Sequence, residues 1–461
     1  MYSVWSTEII ESEASALLST INGAIHKSSY YTNYKPPKVK WWSEKLNNLK
    51  NEVNKKSRQK KQSKTLNKHN EYISAKNLYK YEVRKAQRNS WKNHEDSIDN
   101  PQKMAKFNKL VKNACFERVG LLKKPDGFYT KDSQESVALL LNTHFPGSVP
   151  LKGPFKSQQG HCSKVCVSSE ELKNSYISRN KVKAAINEFG SLKAAGPDGL
   201  KPIALQILCR NNYGLKRLTM LLKAVVKIGY TPKQWVVSEV IFIPKMGKSD
   251  YSQVRSWRPI SLLSYFYKTI EKMVLWEIEE KCLVSKPIHK NQFAFKKGSS
   301  CDHALSSMVN TIESSILRNG YSLVVLLDIS GAFDNARYID ILDSLYQRKV
   351  PQNLIKWYRN FLYNRSAYSK AGSEIINIKL KKGLAQGAVL SPRFWNFSFE
   401  KFILALNQGP IHVKAFADDA ALIINGSDLK YMISIMQGAL HRAFKWGQNA
   451  GLQFVPSKTE E

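Results

Sequence analysis

The sequence predicts an α+β protein, and three kinds of stretch carry that expectation. Val413-Lys414-Ala415-Phe416-Ala417-Asp418-Asp419-Ala420-Ala421-Leu422-Ile423-Ile424 sets two apolar, β-type runs around a pair of acids. Runs joined over so few residues read as an antiparallel hairpin. Tyr321–Leu327 is a further apolar, strand-like run, and it ends on Asp328. Elsewhere apolar residues recur at helical spacing, most clearly at Val182, Ala185, Ile186 and Phe189.

The hairpin carries the chemistry. Successive strand residues point to opposite faces, so Asp418 and Asp419 share a site only if they sit at the hairpin tip, where the sequence predicts them. Two carboxylates ~4 Å apart repel by roughly 4 kcal/mol at an effective dielectric near 20, which asks for a cation. Mg²⁺ suits the site, because it binds through a few carboxylates and keeps other positions for water and phosphate oxygen. Taken alone, the pair also reads as a solvated Asp-Asp turn. Asp328 changes the balance: Ile329-Ser330-Gly331-Ala332-Phe333-Asp334 follows as a turn, with Gly331 permitting a tight backbone. An acid delivered by a strand to an acidic hairpin tip makes a carboxylate cluster able to hold two metal ions, the arrangement that clamps the oxygens of an in-line phosphoryl transfer.

These residues resemble a family. Phe416-Ala417-Asp418-Asp419, Leu327-Asp328-Ile329-Ser330-Gly331-Ala332-Phe333-Asp334 and Gly383-Leu384-Ala385-Gln386-Gly387-Ala388-Val389-Leu390-Ser391-Pro392 are similar to boxes of reverse transcriptases of non-long-terminal-repeat retrotransposons. Their order along the chain is that family's order. Further matches are Ala195-Gly196-Pro197-Asp198-Gly199-Leu200, Ile243-Pro244-Lys245, Trp257-Arg258-Pro259-Ile260-Ser261-Leu262-Leu263, Gln292-Phe293-Ala294-Phe295, and Gly451-Leu452-Gln453-Phe454 with Lys458-Thr459-Glu460. Together they run from about Ser168 to the last residue, and their wording most resembles the Jockey-type branch.

Bulk properties bound the partners. The 461 residues allow two or three domains, and an apolar fraction of 43% fits a globular chain. A formal charge of +34 spread along the sequence points to a polyanion, and nucleic acid fits best. No apolar run approaches ~20 residues, so no membrane span is expected. Glu8, Glu11 and Glu13 near the start argue against a signal peptide. Cys115, Cys162, Cys166, Cys209, Cys282 and Cys301 are scattered, as in a reduced protein of cytoplasm or nucleus. His161-Cys162 with Cys166 makes half a metal site, and no second pair lies nearby, so no structural zinc is expected.

Three segments are expected in order. Residues 1–110 read as a basic helical linker or RNA-contacting arm, beginning with a helical pattern at Ala14, Leu17, Leu18 and Ile21. Lys55, Lys56, Arg58, Lys60, Lys61, Lys64 and Lys68 then form a run with no acid between them, which also fits a nuclear localisation signal. Tyr72, Ala75, Tyr79, Val83 and Ala86 recur near helical spacing among basic residues. Such a segment reads either as a solvated helical hairpin or, with Trp41, Trp42, Tyr72, Tyr79 and Trp91 interleaved, as an RNA contact. Residues 111–167 read as a helical extension, with a turn at Pro125-Asp126-Gly127, and a loop from Gly147 to Val167. Residues 168–461 follow, with Ser178 capping a helix, a turn at Gly196-Pro197-Asp198-Gly199, and a long helical stretch to about Ile228. Gly247-Lys248-Ser249 imitates a phosphate-binding loop, but the motif's first glycine falls on Phe242, which removes an ATPase reading.

The resemblance implies the rest. It implies fingers and palm of a right-hand polymerase over residues 168–461, with an antiparallel palm sheet backed by helices. The upstream endonuclease and the downstream thumb of the family are expected to be absent. It implies RNA-templated DNA synthesis on a DNA primer from deoxynucleoside triphosphates, in a ribonucleoprotein of nucleus and cytoplasm. Asp328 and Asp418 would ligate two Mg²⁺ ions, with Asp419 as outer ligand or electrostatic support. Lys245 and Arg258 would grip the triphosphate, Gln386 would contact nucleotide and templating base, Phe333 would face the sugar's 2′ position, and Lys458 would stand near pyrophosphate. Asp334 receives no catalytic role. Leu384-Ala385-Gln386-Gly387-Ala388 stands where the family has Val-Pro-Gln-Gly-Ser, and Ala294 takes a usual glycine position, which puts rate in question more than function. The competing reading is a truncated remnant that binds RNA without extending primers.

Overall fold

The computed structural model describes residues 4–28, 41–63, 65–95, 119–151, 165–173, 175–248, 250–318 and 320–455. The chain divides into two compact units, Ser29–Glu117 and the remainder, Met1–Ser28 with Arg118–Glu461. The first helix, Thr7–Ser28, belongs to the larger unit.

The smaller unit pairs two helices, Glu44–Ser63 and Leu66–Glu95. They run antiparallel: Lys45 reaches Glu82 at 3.0 Å, and the Lys60 ammonium lies 4.9 Å from the Tyr72 ring centre. Leu46 and Ala75 are the buried apolar residues here, while Leu66, Leu78 and Tyr81 stay exposed. Its surface charge far outweighs its core.

The larger unit is built on β1 (Val4–Trp5), β2 (Val149–Pro150), β3 (Val167–Ser168), β4 (Val237–Pro244) and β5 (Trp257–Leu262). There follow β6 (Tyr321–Leu327), β7 (Ser366–Ala371), β8 (Glu374–Lys379), β9 (Ile411–Phe416) and β10 (Asp419–Gly426). One sheet, in the order β6-β10-β9, is antiparallel throughout. A second runs β2-β8-β7-β4-β5, with β4 and β7 its parallel pair, and β1 pairs β3 in a small third. Helices and mixed sheets together make the α+β class expected.

Alternation explains the three-stranded sheet. Val325 and Leu327 of β6, Leu422 and Ile424 of β10, and Ile411 and Val413 of β9 turn inward into the main core. Helices Ser391–Leu406 and Leu429–Ala450 supply Phe394, Phe399, Phe402, Met432 and Met436 to that core. A second cluster, with Val137, Leu140, Leu141, Phe242, Trp257 and Ile378, welds helix Ser133–His144 to the larger sheet.

Local signals hold with three adjustments, the first being that β2, paired with β8, falls within the expected loop from Gly147 to Val167. Ser178 caps its helix by accepting from Lys181 N at 3.2 Å, and Gly199 N closes the turn on Gly196 O at 3.0 Å. The stretch to Ile228 is two helices, Pro202–Leu208 and Asn212–Ile228, because the Asn211 side chain caps the second by accepting from Gly214 N. The hairpin tip is shifted by one residue: Ala417 and Asp418 make the turn, and Asp419 opens β10 opposite Phe416. Ala417 supplies the positive φ, 60°, that turns of this length favour. Among the described residues, no helix is long and apolar enough to cross a membrane. Residues 111–118 of the expected helical extension, His161, Cys162 and Lys458 lie outside the described residues.

Candidate active site

The end of the three-stranded sheet is where its acids gather. Leu327 is the last β6 residue paired with β10, opposite Ala420, so Asp328 follows that pair while Asp418 and Asp419 precede it. Asp328 and Asp418 are half-buried and Asp419 is exposed. All three line one cavity of about 1180 Å³. The segment after helix Leu429–Ala450 runs beside the first acid: Val455 N donates to Asp328 O at 3.0 Å and Ser330 N to Gln453 O at 2.8 Å. That contact gives the Gly451-Leu452-Gln453-Phe454 box its structural reason.

The acidic turn is held from outside the hairpin. Ala417 pays about 1 kcal/mol or more for its left-handed backbone. Gln292, buried, accepts from Ala417 N at 3.1 Å and donates to Ala417 O at 3.2 Å. Trp395 adds its indole N–H to the same carbonyl at 3.1 Å. The strand-like Asn291–Phe293 stretch places Gln292 by bonding both sides of Ala415 on β9.

The same cavity collects the other expected residues. Lys245 and Arg258 come from the β4–β5 hairpin, Lys245 just past Pro244 and Arg258 opposite Ile243. Phe333 sits on the turn Ala332–Asn335 with its ring stacked on Trp395 at 5.6 Å and edge-on to Phe295 at 6.4 Å. Gln386 joins β5 through its own carbonyl, which accepts from Ser261 N at 2.7 Å. The glycines of that loop answer close approach: a Cβ on Gly387 would meet Ser261 O at 2.8 Å, and one on Gly383 would meet Asp334 O at 2.8 Å. Buried Arg365 donates to Gly383 O at 2.6 Å. Glu271, fully buried, accepts from Val389 N at 2.9 Å, and burial pushes its carboxyl up to about 7.

Thus Asp328, Asp418, Asp419, Lys245, Arg258, Phe333 and Gln386 all line a single cavity. Sequence reasoning missed several of its walls. Lys248, Arg255 and Lys382 add positive charge, and His144 and Asp334 add a buried polar pair. The basic residues of the β4–β5 loop lie between two matched boxes, which is the signal that would have found Lys248 and Arg255. The donor chemistry suits a hard cation such as Mg²⁺. Among the described residues, no three His, Cys, Asp or Glu side chains form a group that could hold a metal ion, so the three acids are not drawn into one ligand set here.

Comparison with known proteins falls on these residues. Residues 243–461 match the family described as reverse transcriptase (RNA-dependent DNA polymerase). The Pol polyprotein of the type-1 retrotransposable element R1 of Bradysia coprophila is 23% identical over 73% of this chain and 32% of its own length. The RNA-directed DNA polymerase of the mobile element jockey of Drosophila melanogaster is 25% identical over 73% of this chain and 37% of its own. The chain therefore spans about a third of the length of these two relatives. An apo telomerase of Candida tropicalis, truncated from its C-terminal domain, superposes over 49% of this chain and 50% of its own at 12% identity and a TM-score of 0.36, too loose a likeness to build on. Residues 243–461, which match the reverse transcriptase family, form most of the walls of the acidic cavity, and the chain is similar there to the polymerases of the non-long-terminal-repeat, LINE-type elements R1 and jockey.

Proposed function

We propose that this cavity catalyses RNA-templated addition of deoxynucleotides to a DNA primer, with residues 168–461 acting as fingers and palm. One observation carries the reading: acids from two chain segments, cations from the β4–β5 hairpin, Gln386 and Phe333 share one cavity within the family match. In the reaction the primer's 3′-hydroxyl oxygen bonds to the α-phosphorus, and the bond to the β-phosphate oxygen breaks to release pyrophosphate.

Each residue has a physical task. Lys245 and Arg258 bind the triphosphate, Arg258 with a fork that matches two phosphate oxygens at once. Phe333 stands where a ribose 2′-hydroxyl would collide, its ring backed by Trp395. Gln386 meets the nucleotide and the templating base, with its loop tied to β5. Asp328 and Asp418 would hold Mg²⁺, with Asp419 as outer support and Lys458 near the departing pyrophosphate. The bound ions would supply positive charge where the transferring phosphate gathers negative charge. The protein's remaining contribution is position, since a misplacement of ~1 Å costs about a hundredfold.

Single-nucleotide extension of a DNA primer on an RNA template, with and without chelator, tests the reading. Template-directed incorporation that chelator stops is expected. RNA binding with no incorporation by the intact chain would overturn it.

A further inference from the structure

Helix Ser133–His144 lies outside the family match, yet its last residue is in the cavity. Val137, Leu140 and Leu141 anchor the helix in the core of the larger sheet, and Asp132 caps its start by accepting from Glu135 N at 2.8 Å. His144 is thereby carried to a fixed place and is 7% exposed. Its Nδ1 lies 3.3 Å from Asp334 Oδ2, and its Nε2 lies 3.4 Å from Val254 O. The other Asp334 oxygen, Oδ1, accepts from Gln386 Nε2 at 2.9 Å.

The chemistry of a carboxylate sets the direction of this chain of bonds. An ionised carboxylate only accepts, so Nδ1 of His144 carries the hydrogen, and Gln386 must turn its nitrogen toward Asp334. That leaves the Gln386 amide oxygen as the end available to the cavity. An unheld amide offers donor or acceptor equally by flipping; this one offers an acceptor. Asp334 is itself fixed by its backbone, since Leu384 N donates to Phe333 O and Gly383 packs on Asp334 O.

We propose that His144 and Asp334 are positioning residues that hold the Gln386 amide with its oxygen presented to a hydrogen-bond donor of the incoming deoxynucleotide. The inference rests on the polymerase reading above and deepens it. It also makes His144, at the end of helix Ser133–His144, part of the nucleotide site.

The test compares His144→Leu, which deletes the donor, with His144→Asn, whose amide nitrogen falls near the place of Nδ1, and with Asp334→Ala. Two quantities are measured on the full chain. One is the KM and kcat for the correct deoxynucleotide in primer extension on RNA. The other is the Kd of that nucleotide for the complex with a dideoxy-terminated primer, which needs no turnover. His144→Leu and Asp334→Ala should raise Kd and KM about tenfold, the loss of one charge-assisted hydrogen bond, with kcat and primer–template affinity kept. His144→Asn should stay within about twofold of the parent. Asp334→Ala combined with Gln386→Ala should lose no more than Gln386→Ala alone, because the two act through one contact. Unchanged Kd and KM in His144→Leu, or equal losses in His144→Asn and His144→Leu, would overturn the proposal. A parent chain that binds the nucleotide without extending the primer would sink the polymerase reading while the Kd series still decided this one. A parent chain that binds no deoxynucleotide would overturn both.

Discussion

Trp395 donates its indole N–H to the carbonyl of Ala417 at 3.1 Å while its ring stacks on Phe333, so one side chain braces both the acidic turn and the aromatic wall beside it. Trp395→Phe keeps a ring against Phe333 and removes the N–H. The turn, with Ala417 at φ 60°, then depends on Gln292 alone for that carbonyl. The maximal rate of nucleotide addition should fall about five- to tenfold, the worth of one hydrogen bond. An unchanged rate would mean that Gln292 suffices.

Phe333 makes a second, separable prediction. Its ring is half-buried between Trp395 and Phe295 and faces the cavity. Phe333→Ala should lower the preference for deoxyribonucleotides over ribonucleotides by about tenfold or more, as expected when a steric filter is removed. The preference is a ratio measured within one protein, so a partly destabilised variant still reports it. Equal preference in parent and variant would leave Phe333 as packing.

Glu271 links stability to pH. Burial raises its carboxyl from 4.5 to about 7, so between those values the folded chain keeps a proton that the unfolded chain has lost. Its contribution is full below 4.5 and fades as pH rises through about 7. Glu271→Gln should flatten that part of the stability profile, read as urea midpoints at about pH 5 and about pH 8. Parallel profiles for the two proteins would show that Glu271 is not the group responsible.

The paired basic helices invite a test by charge alone. Lys55, Arg58 and Lys61 are exposed at successive threes along Glu44–Ser63 and therefore share a side. If they contact single-stranded RNA, changing all three to Gln should make the slope of log K against log salt shallower by about 2. A slope equal to the parent's would place the phosphate contacts on other residues.

What the sequence made legible, and what it hid, follows from the range of the interactions. Asp328 and Asp418 were readable because apolar strands deliver them, and strand periodicity is a local signal. The one-residue shift of the hairpin tip was not, since it turns on positive φ at Ala417, and alanine carries none of the chemistry that marks such turns. Asn211 started a second helix by capping it at Gly214 N, which competes with one unbroken helix to Ile228 and won. Asp334 looked like local structure because its partners, Gln386 and His144, are 52 and 190 residues away. Gln292 likewise appeared only as part of a box; its task lies 125 residues downstream. Residue type announces an acid or a cation, but only the folded chain says what holds it still.

The central claim is that the acids of this cavity drive template-directed DNA synthesis, and Asp418→Ala tests it most directly. Asp418 is half-buried on the turn, lines the cavity, and stands next to the braced Ala417. Parent and variant are compared for RNA-templated incorporation of one deoxynucleotide, with affinity for the same primer–template measured alongside. The account predicts incorporation by the parent, loss of about a thousandfold or more in the variant, and equal affinity in both. Incorporation that survives Asp418→Ala, or a parent that binds primer–template and never extends it, would contradict the account.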